Sequence, residues 1–86
     1  FGFMDKGGFI VNGRNRIADG LDAAGKVMRE VKNVKYQGLT RQIQDYIDYS
    51  QASGYRLELF VRSTTALSQP LIDAINANKI VLKIIP

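Results

Sequence analysis

The chain has 86 residues, enough for one small domain with a modest hydrophobic core. It contains no cysteine and no histidine, which excludes disulfides, thiol nucleophiles, zinc–thiolate sites, Ser-His-Asp triads and any site that needs a histidine. The formal net charge of +4 favours an anionic partner such as nucleic acid or an acidic protein, with solubility as the simpler explanation.

The first third of the chain is expected to be extended. Residues 1–8 hold three glycines and are interpreted as a lead-in to a single domain over 1–86. Because the chain begins with Phe1, it is expected to be a piece of a longer protein. A short strand is predicted at 9–11 and is followed by an Asn-Gly turn signal. The sequence has no membrane-spanning stretch and no visible signal peptide.

Two longer extended segments follow, at 14–21 and 26–34. The four residues between them, at 22–25, have the length of a hairpin connection. We therefore expect the two segments to pair as an antiparallel hairpin.

The clearest helix lies at 39–54, where apolar residues recur at helical spacing. Thr40 is placed to cap its start, and Gly54 is placed to end it. The residues that form this stripe are Leu39, Ile43, Tyr46, Ile47 and Ser50.

The rest of the chain alternates strand, helix and strand. Residues 55–62 alternate in polarity as a strand with one face more buried. A second helix is predicted after Ser68, with Pro70 in its first turn, and 79–86 form a last strand. Helices between strands favour crossover connections, so the predicted fold class is α/β with a mixed β-sheet and crossover helices.

Glu30 and Lys32 share one face of the strand at 26–34, because side chains in a strand alternate with period two. The carboxylate of Glu30 could hold a hard cation such as Mg²⁺. Lys32 could orient a water molecule or stabilise charge on a phosphodiester under attack. The alternative is a solvent-facing polar pair.

A second carboxylate is needed for such a site, and the candidates are Asp19 and Asp22. For a hairpin centred between Ala23 and Ala24, Asp19 would lie opposite Met28 and diagonal to Glu30, about 7–8 Å away between backbone positions. Asp22 would lie about 17 Å from Glu30 along the strand, and is interpreted as a turn residue. The register is a hypothesis, since a slip of one residue would reverse the faces.

Gln42 and Tyr46 are neighbours on the predicted helix at 39–54, because they are four residues apart. Gln42 could hydrogen-bond into a site, and Tyr46 could contact a phosphate or a base. The alternative is a boundary glutamine and a core tyrosine whose hydroxyl finds a structural partner.

Seven of the twelve lysines and arginines lie between residues 14 and 41. Basic residues around a pair of carboxylates suit a phosphodiester substrate, although a solvated basic face is equally consistent. The residues taken as candidate nucleic-acid contacts are Arg14, Arg16, Arg29, Lys35 and Arg41.

Several segments together resemble a known family: "RIADGLD", "REVKNV", "TRQIQDYIDYSQASGYRLELFVR" and "LSQPLIDAINANKIVLKII". The chain is similar to restriction-endonuclease-fold nuclease domains at the C-termini of bacterial polymorphic toxins, which belong to the PD-(D/E)xK superfamily. The resemblance covers roughly residues 14–85. It implies a restriction-endonuclease-like core.

The resemblance also implies residue roles. Asp19 matches the acid of the "PD" half-motif, with Ala18 in place of proline, and "EVK" stands for (D/E)xK. Asp19 and Glu30 would then bind Mg²⁺ or Mn²⁺ with the carbonyl of Val31, and Lys32 would position the water. Gln42 and Tyr46 match the Q-xxx-Y helix pattern seen in part of the superfamily.

One feature departs from the family pattern. Many members carry a further acid on an N-terminal helix, but no glutamate precedes Glu30, and only Asp5 lies upstream of Asp19. The number of metal ions is therefore left open.

The main functional hypothesis is a metal-dependent nuclease, with DNA favoured as substrate. The resemblance implies an antibacterial toxin domain that is secreted or delivered from a larger protein, acts in the cytoplasm of the target cell, and is neutralised by a cognate immunity protein. An inhibitor of a basic cleft would be acidic. The alternatives are a nucleic-acid-binding module without catalysis, and a nuclease that acts on RNA.

Overall fold

The computed structural model describes residues 6–86 as eight strands and two helices. Predictions that fall on residues 1–5, including the position of Asp5, lie outside the described residues. In chain order the elements are β1 (Gly7–Val11), β2 (Arg14–Ala18), β3 (Gly20–Asp22), β4 (Val27–Lys32), β5 (Tyr36–Gln37), α1 (Arg41–Ser53), β6 (Arg56–Val61), β7 (Ala66–Leu67), α2 (Gln69–Asn76) and β8 (Val81–Ile84).

β1 and β2 form a separate antiparallel hairpin, and β1 begins at Gly7, two residues before the predicted strand. The predicted Asn-Gly turn joins them. Asn12 has a φ of 52° and Gly13 a φ of 74°. Two consecutive residues with positive φ match the twist of a two-residue hairpin, which explains the choice of asparagine and glycine here.

The main sheet has the order β3-β4-β6-β8. β3 pairs with β4 antiparallel, whereas β4–β6 and β6–β8 are parallel and are linked through α1 and α2. The predicted α/β class with a mixed sheet and crossover helices is therefore confirmed. The small parallel pair of β5 and β7 was not predicted, because each strand has only two residues.

Two details of the predicted hairpin are wrong. The extended segment 14–21 is divided at Asp19, so that β2 pairs with β1 and only β3 pairs with β4. The register also differs by two residues, because Asp22 lies opposite Val27. The carboxylate of Asp22 accepts the N–H of Gly25 at 3.0 Å, and this moves the turn one residue along the chain. A shift of two positions leaves every side chain on its predicted face.

Both helices begin after their predicted caps, and α1 also ends at the predicted glycine. The Thr40 hydroxyl accepts the N–H of Ile43, and Gly54 ends α1 in the left-handed conformation. Ser68 caps α2 by accepting the N–H of Leu71. Their apolar sides enclose the core with the inner face of the sheet, and its largest members are Met28, Ile43, Tyr46, Ile47, Leu59, Val61 and Leu71.

Candidate metal and nuclease site

Asp19 is the only residue between β2 and β3, at the junction of the hairpin with the main sheet. Because Gly20 pairs with Arg29, the register brings Asp19 to the position beside Glu30. The N–H of Asp19 donates to Oε1 of Glu30 at 3.2 Å. Oδ2 of Asp19 accepts the N–H of Val31 at 2.8 Å. The structure thus joins the two predicted carboxylates more directly than a diagonal pairing would.

Glu30 and Lys32 lie on the face of β4 that carries buried Met28, in agreement with the period-two argument. Glu30 is 4% exposed. Nζ of Lys32 lies 3.3 Å from Oε2 of Glu30 and donates to Oε1 of Gln42 at 2.5 Å. The glutamine of α1 therefore holds the lysine beside the buried carboxylate.

Burial raises the pKa of Glu30 above its ordinary value, and the nearby charge of Asp19 raises it further. Lys32 and the N–H of Asp19 act in the opposite direction but do not cancel the effect. Ionised Glu30 is thus incompletely compensated by its protein neighbours. Additional positive charge at this position would stabilise the carboxylate.

Val31 contributes its backbone at the edge of β4. The last paired residues of β3 and β4 are Gly20 and Arg29. Two residues further along β4, the N–H of Val31 donates to the carboxylate of Asp19. The N–H and C=O of one strand residue point to the same edge, so the carbonyl of Val31 is directed to the side where Asp19 lies. The ligand role that the family resemblance implies for this carbonyl stays a prediction.

Tyr46 is fully buried, and its hydroxyl donates to the carbonyl of Ile17 at 3.0 Å. Burial, followed by the charges of Glu30 and Asp19, raises the pKa of Tyr46 to about 12. The hydroxyl therefore stays protonated over the working range of most enzymes. In this structure it tethers the strand that leads to Asp19.

The candidate nucleic-acid contacts divide into two groups. Arg14 and Arg16 both donate to the carboxylate of Asp45, at 2.7–2.8 Å, and so bind the hairpin to α1. Arg29 lies on the opposite face of β4 from Glu30 and donates to Glu58 at 2.7 Å. These three arginines already have carboxylate partners.

Lys35 and Arg41 form the second group, and both are exposed. They lie in the segment that connects Lys32 to Gln42. The hydrogen bond between the Lys32 and Gln42 side chains holds the two ends of this segment together. Arg41 opens α1 directly after its N-cap. Both cations therefore border the segment that carries Lys32.

No motif in the sequence pointed to Asp45, whose carboxylate accepts four hydrogen bonds. Asp45 is 1% exposed and accepts hydrogen bonds from Asn12, Arg14 and Arg16. The Arg14 guanidinium, with the help of Asn12 and Arg16, holds the pKa of Asp45 well below its usual range. The sequence signal was two arginines at period-two spacing, Arg14 and Arg16, and an acid that adjoins Tyr46 in the sequence but lies off the apolar stripe of α1.

The donor set fits a hard divalent cation, because it consists of carboxylate and carbonyl oxygens. A cation would also offset the repulsion between Asp19 and Glu30 that raises the pKa of Glu30. Within residues 6–86 there is no group of three or more acidic, histidine or cysteine side chains placed to hold a metal. The candidate donors are therefore limited to the carboxylates of Asp19 and Glu30 and the carbonyl of Val31, as the resemblance implies.

Comparison with protein families adds a decisive observation. The family model described as "Restriction endonuclease fold toxin 7" matches residues 5–71. The matched range includes the segment from Asp19 to Lys32 and all of α1 with its cap, Thr40. The chain belongs to this family. No curated protein and no solved structure matches the chain.

Membership in this restriction-endonuclease-fold toxin family confirms the predicted resemblance and indicates a nuclease toxin. It implies a nucleic-acid substrate, an immunity protein and delivery into target cells. Nucleases of this fold generally use divalent metals. In the part of the chain that the structure describes, no helix is long and apolar enough to cross a membrane.

Proposed function

We propose that this toxin domain is a metal-dependent nuclease that hydrolyses phosphodiester bonds, with DNA as its substrate. The observation that carries the proposal is the direct junction of Asp19 and Glu30, with Lys32 held on Glu30 by Gln42. The family indicates the type of reaction, hydrolysis of a nucleic acid. The contacts bring together two carboxylates and a lysine, which are residue types suited to that reaction.

Asp19, Glu30 and the carbonyl of Val31 are the proposed ligands of Mg²⁺ or Mn²⁺. When bound, the cation would supply Lewis acidity and would lower the pKa of a water molecule. The two carboxylates come from adjacent segments, so the pairing of β3 with β4 sets their separation. The burial of Glu30 keeps competing solvent from one side of the site.

Lys32 is the proposed positioning and charge-stabilising group. An ammonium has three N–H donors, and the contacts with Glu30 and Gln42 account for two of them. The third donor is free to hold the attacking water or a phosphate oxygen. In the hydrolysis, the water oxygen bonds to phosphorus as the water gives up a proton, one ester P–O bond breaks, and the departing oxygen takes up a proton.

Lys35 and Arg41 are the proposed contacts to phosphates beside the cleaved bond. Their exposure leaves them accessible to a polyanion, whereas Arg14, Arg16 and Arg29 have carboxylate partners. Phosphate contacts fix the register of a nucleic acid without reading its sequence. The proposal therefore includes no sequence preference.

The same electrostatics support the proposed partner and site of action. A net charge of +4 favours an acidic immunity protein, which would cover the basic side of the site in the producing cell. We propose that the domain is delivered from a larger bacterial toxin and acts in the cytoplasm of the target cell.

Digestion of plasmid DNA tests the proposal. Cleavage is expected with Mg²⁺ or Mn²⁺ and should disappear with EDTA, with Lys32→Ala and with Glu30→Ala. Cleavage that persists in EDTA would overturn the metal-dependent mechanism. Metal-independent DNA binding without cleavage would instead identify a binding module, and a parallel digestion of RNA distinguishes the two substrates.

A further inference from the structure

One face of α1 carries three polar residues that each hold a different part of the candidate site. Asp45 lies three positions after Gln42, and Tyr46 lies four positions after it. Both are therefore neighbours of Gln42 on the helix surface. Gln42 accepts a hydrogen bond from Lys32, and Tyr46 donates to the carbonyl of Ile17. Asp45 is the member that no motif predicted.

Asp45 binds the hairpin of β1 and β2 at several points. Arg14 donates to both of its oxygens, at 2.8 and 2.7 Å, and Arg16 adds a bond of 2.8 Å. Asn12, at the hairpin turn, donates to Oδ1 at 3.0 Å. The carboxylate therefore fixes the hairpin turn and the first and third residues of β2.

The hairpin depends on these contacts because β1 and β2 form their own sheet. Asp19 is the only residue that separates this sheet from β3. Apolar packing also contributes, since Phe9 stacks on Tyr49 with ring centroids 4.1 Å apart. Stacked rings can slide, whereas a bidentate Arg–carboxylate pair has a defined geometry.

We propose that Asp45 is a positioning residue: through Arg14 and Arg16 it holds β2 so that the carboxylate of Asp19 meets Val31 and Glu30, and it thereby sets the affinity of the metal site. The effect on metal affinity rests on the proposed function. The effect on the position of Asp19 does not.

Glu58 provides a matched control. It is 3% exposed and pairs with two arginines, Arg29 at 2.7 Å and Arg56 at 2.9 Å. Its ion pairs join β4 and β6 on the other face of the sheet. Asp45→Asn and Glu58→Gln therefore remove comparable buried charges, but only the first acts on the strand before Asp19.

The first measurement is amide hydrogen exchange in the metal-free protein. The N–H of Val31 reports the bond to Asp19, and the N–H of Arg56, which bonds to the carbonyl of Lys26, reports general opening. Asp45→Asn should accelerate exchange at Val31 about tenfold relative to Arg56, and Asp19→Ala should do the same. Equal acceleration at both amides, or the same pattern in Glu58→Gln, would overturn the proposal.

The second measurement is Mn²⁺ affinity by calorimetry. Loss of an outer group that orients a ligand typically weakens metal binding by about 10–100-fold, so Asp45→Asn should fall in that range and Glu58→Gln should stay near the wild type. Unchanged affinity in Asp45→Asn would overturn the effect on the metal site. If the wild type binds no Mn²⁺ but Asp45→Asn still accelerates exchange at Val31, the proposed function fails while the positioning role of Asp45 stands.

Arg16→Gln keeps the test decisive if Asp45→Asn does not fold. This variant leaves the Asp45 carboxylate paired with Arg14 and Asn12, so no uncompensated buried charge remains. It should shift Val31 exchange in the same direction, and Arg16→Lys, which keeps the charge, should restore part of the protection. No response at Val31 in Arg16→Gln would count against the proposal.

Discussion

Asp19 and Glu30 exchange contacts across the junction of the hairpin with the main sheet: the N–H of Asp19 donates to Oε1 of Glu30 at 3.2 Å. The carboxylate of Asp19 in turn accepts the N–H of Val31, the next residue after Glu30. Two acidic side chains are thus held together by backbone hydrogen bonds although their charges repel. Without a bound cation, ionised Glu30 lowers the stability of the folded protein, because it is buried and lies beside Asp19. The first two predictions follow from this loss of stability.

Glu30→Gln should stabilise the metal-free protein while it abolishes metal binding. The pKa of Glu30 is raised in the folded state by burial and by Asp19, so its ionisation costs stability as the pH rises through that value. Urea denaturation with EDTA at pH 8 should show a higher midpoint for Glu30→Gln than for the wild type. The difference should close toward pH 3, well below the ordinary pKa of glutamate, where Glu30 is protonated in both the folded and the unfolded protein. A lower midpoint at pH 8 would contradict this prediction.

Lys32→Met should move the acid limit of Mn²⁺ binding to higher pH. Metal binding requires ionised Glu30, and Lys32 lowers the pKa of that carboxyl. Without the ammonium, protons compete more strongly with the metal. Titrations of Mn²⁺ affinity against pH measure the shift, and Lys35→Met, which removes an exposed lysine, is the matched control. Superimposable curves for the two variants would show that Lys32 does not act on Glu30.

Lys35→Gln and Arg41→Gln should each weaken nucleic-acid binding and reduce its salt dependence. A cation that contacts one phosphate contributes about one unit to the slope of log affinity against log salt. Fluorescence anisotropy with Glu30→Gln as the inactive background measures binding alone. Arg56→Gln removes the same charge from the opposite face, where the arginine pairs with Glu58. An equal loss of slope in this control would place the interface elsewhere.

Tyr46→Phe should destabilise the fold without changing the alkaline side of the pH–rate profile. The buried hydroxyl donates to the carbonyl of Ile17, and loss of this hydrogen bond should cost about 1 kcal/mol. Because the pKa of Tyr46 is about 12, it stays protonated up to pH 10 and does not act as a base there. Thermal denaturation and rates between pH 7 and 10 check both parts. Loss of an alkaline limb in the variant would instead give Tyr46 a direct catalytic role.

The part of the candidate site that could be predicted from the sequence is the part in which reactive residue types recur at the spacing of a strand or a helix. Glu30 and Lys32 fall on one strand face for any register, because their spacing is two residues. Helical spacing placed Gln42 beside Tyr46 and suggested that it could hydrogen-bond into a site, but its contact with Lys32 was found only in the structure. The exact pairing of Asp19 was wrong by two positions, since Asp22 and Gly25 determine where the turn falls.

By itself, the sequence determined the helices and their caps, the alternation of the strands, the α/β class and the residue types available for chemistry. These properties follow from spacing and from local hydrogen bonds between near neighbours. Only the tertiary structure decided that Asp19 meets Val31, that Tyr46 holds Ile17, and that Arg14 and Arg16 serve Asp45. Those contacts join residues 12 to 31 positions apart in the chain, where packing and register, and not local preference, select the partner.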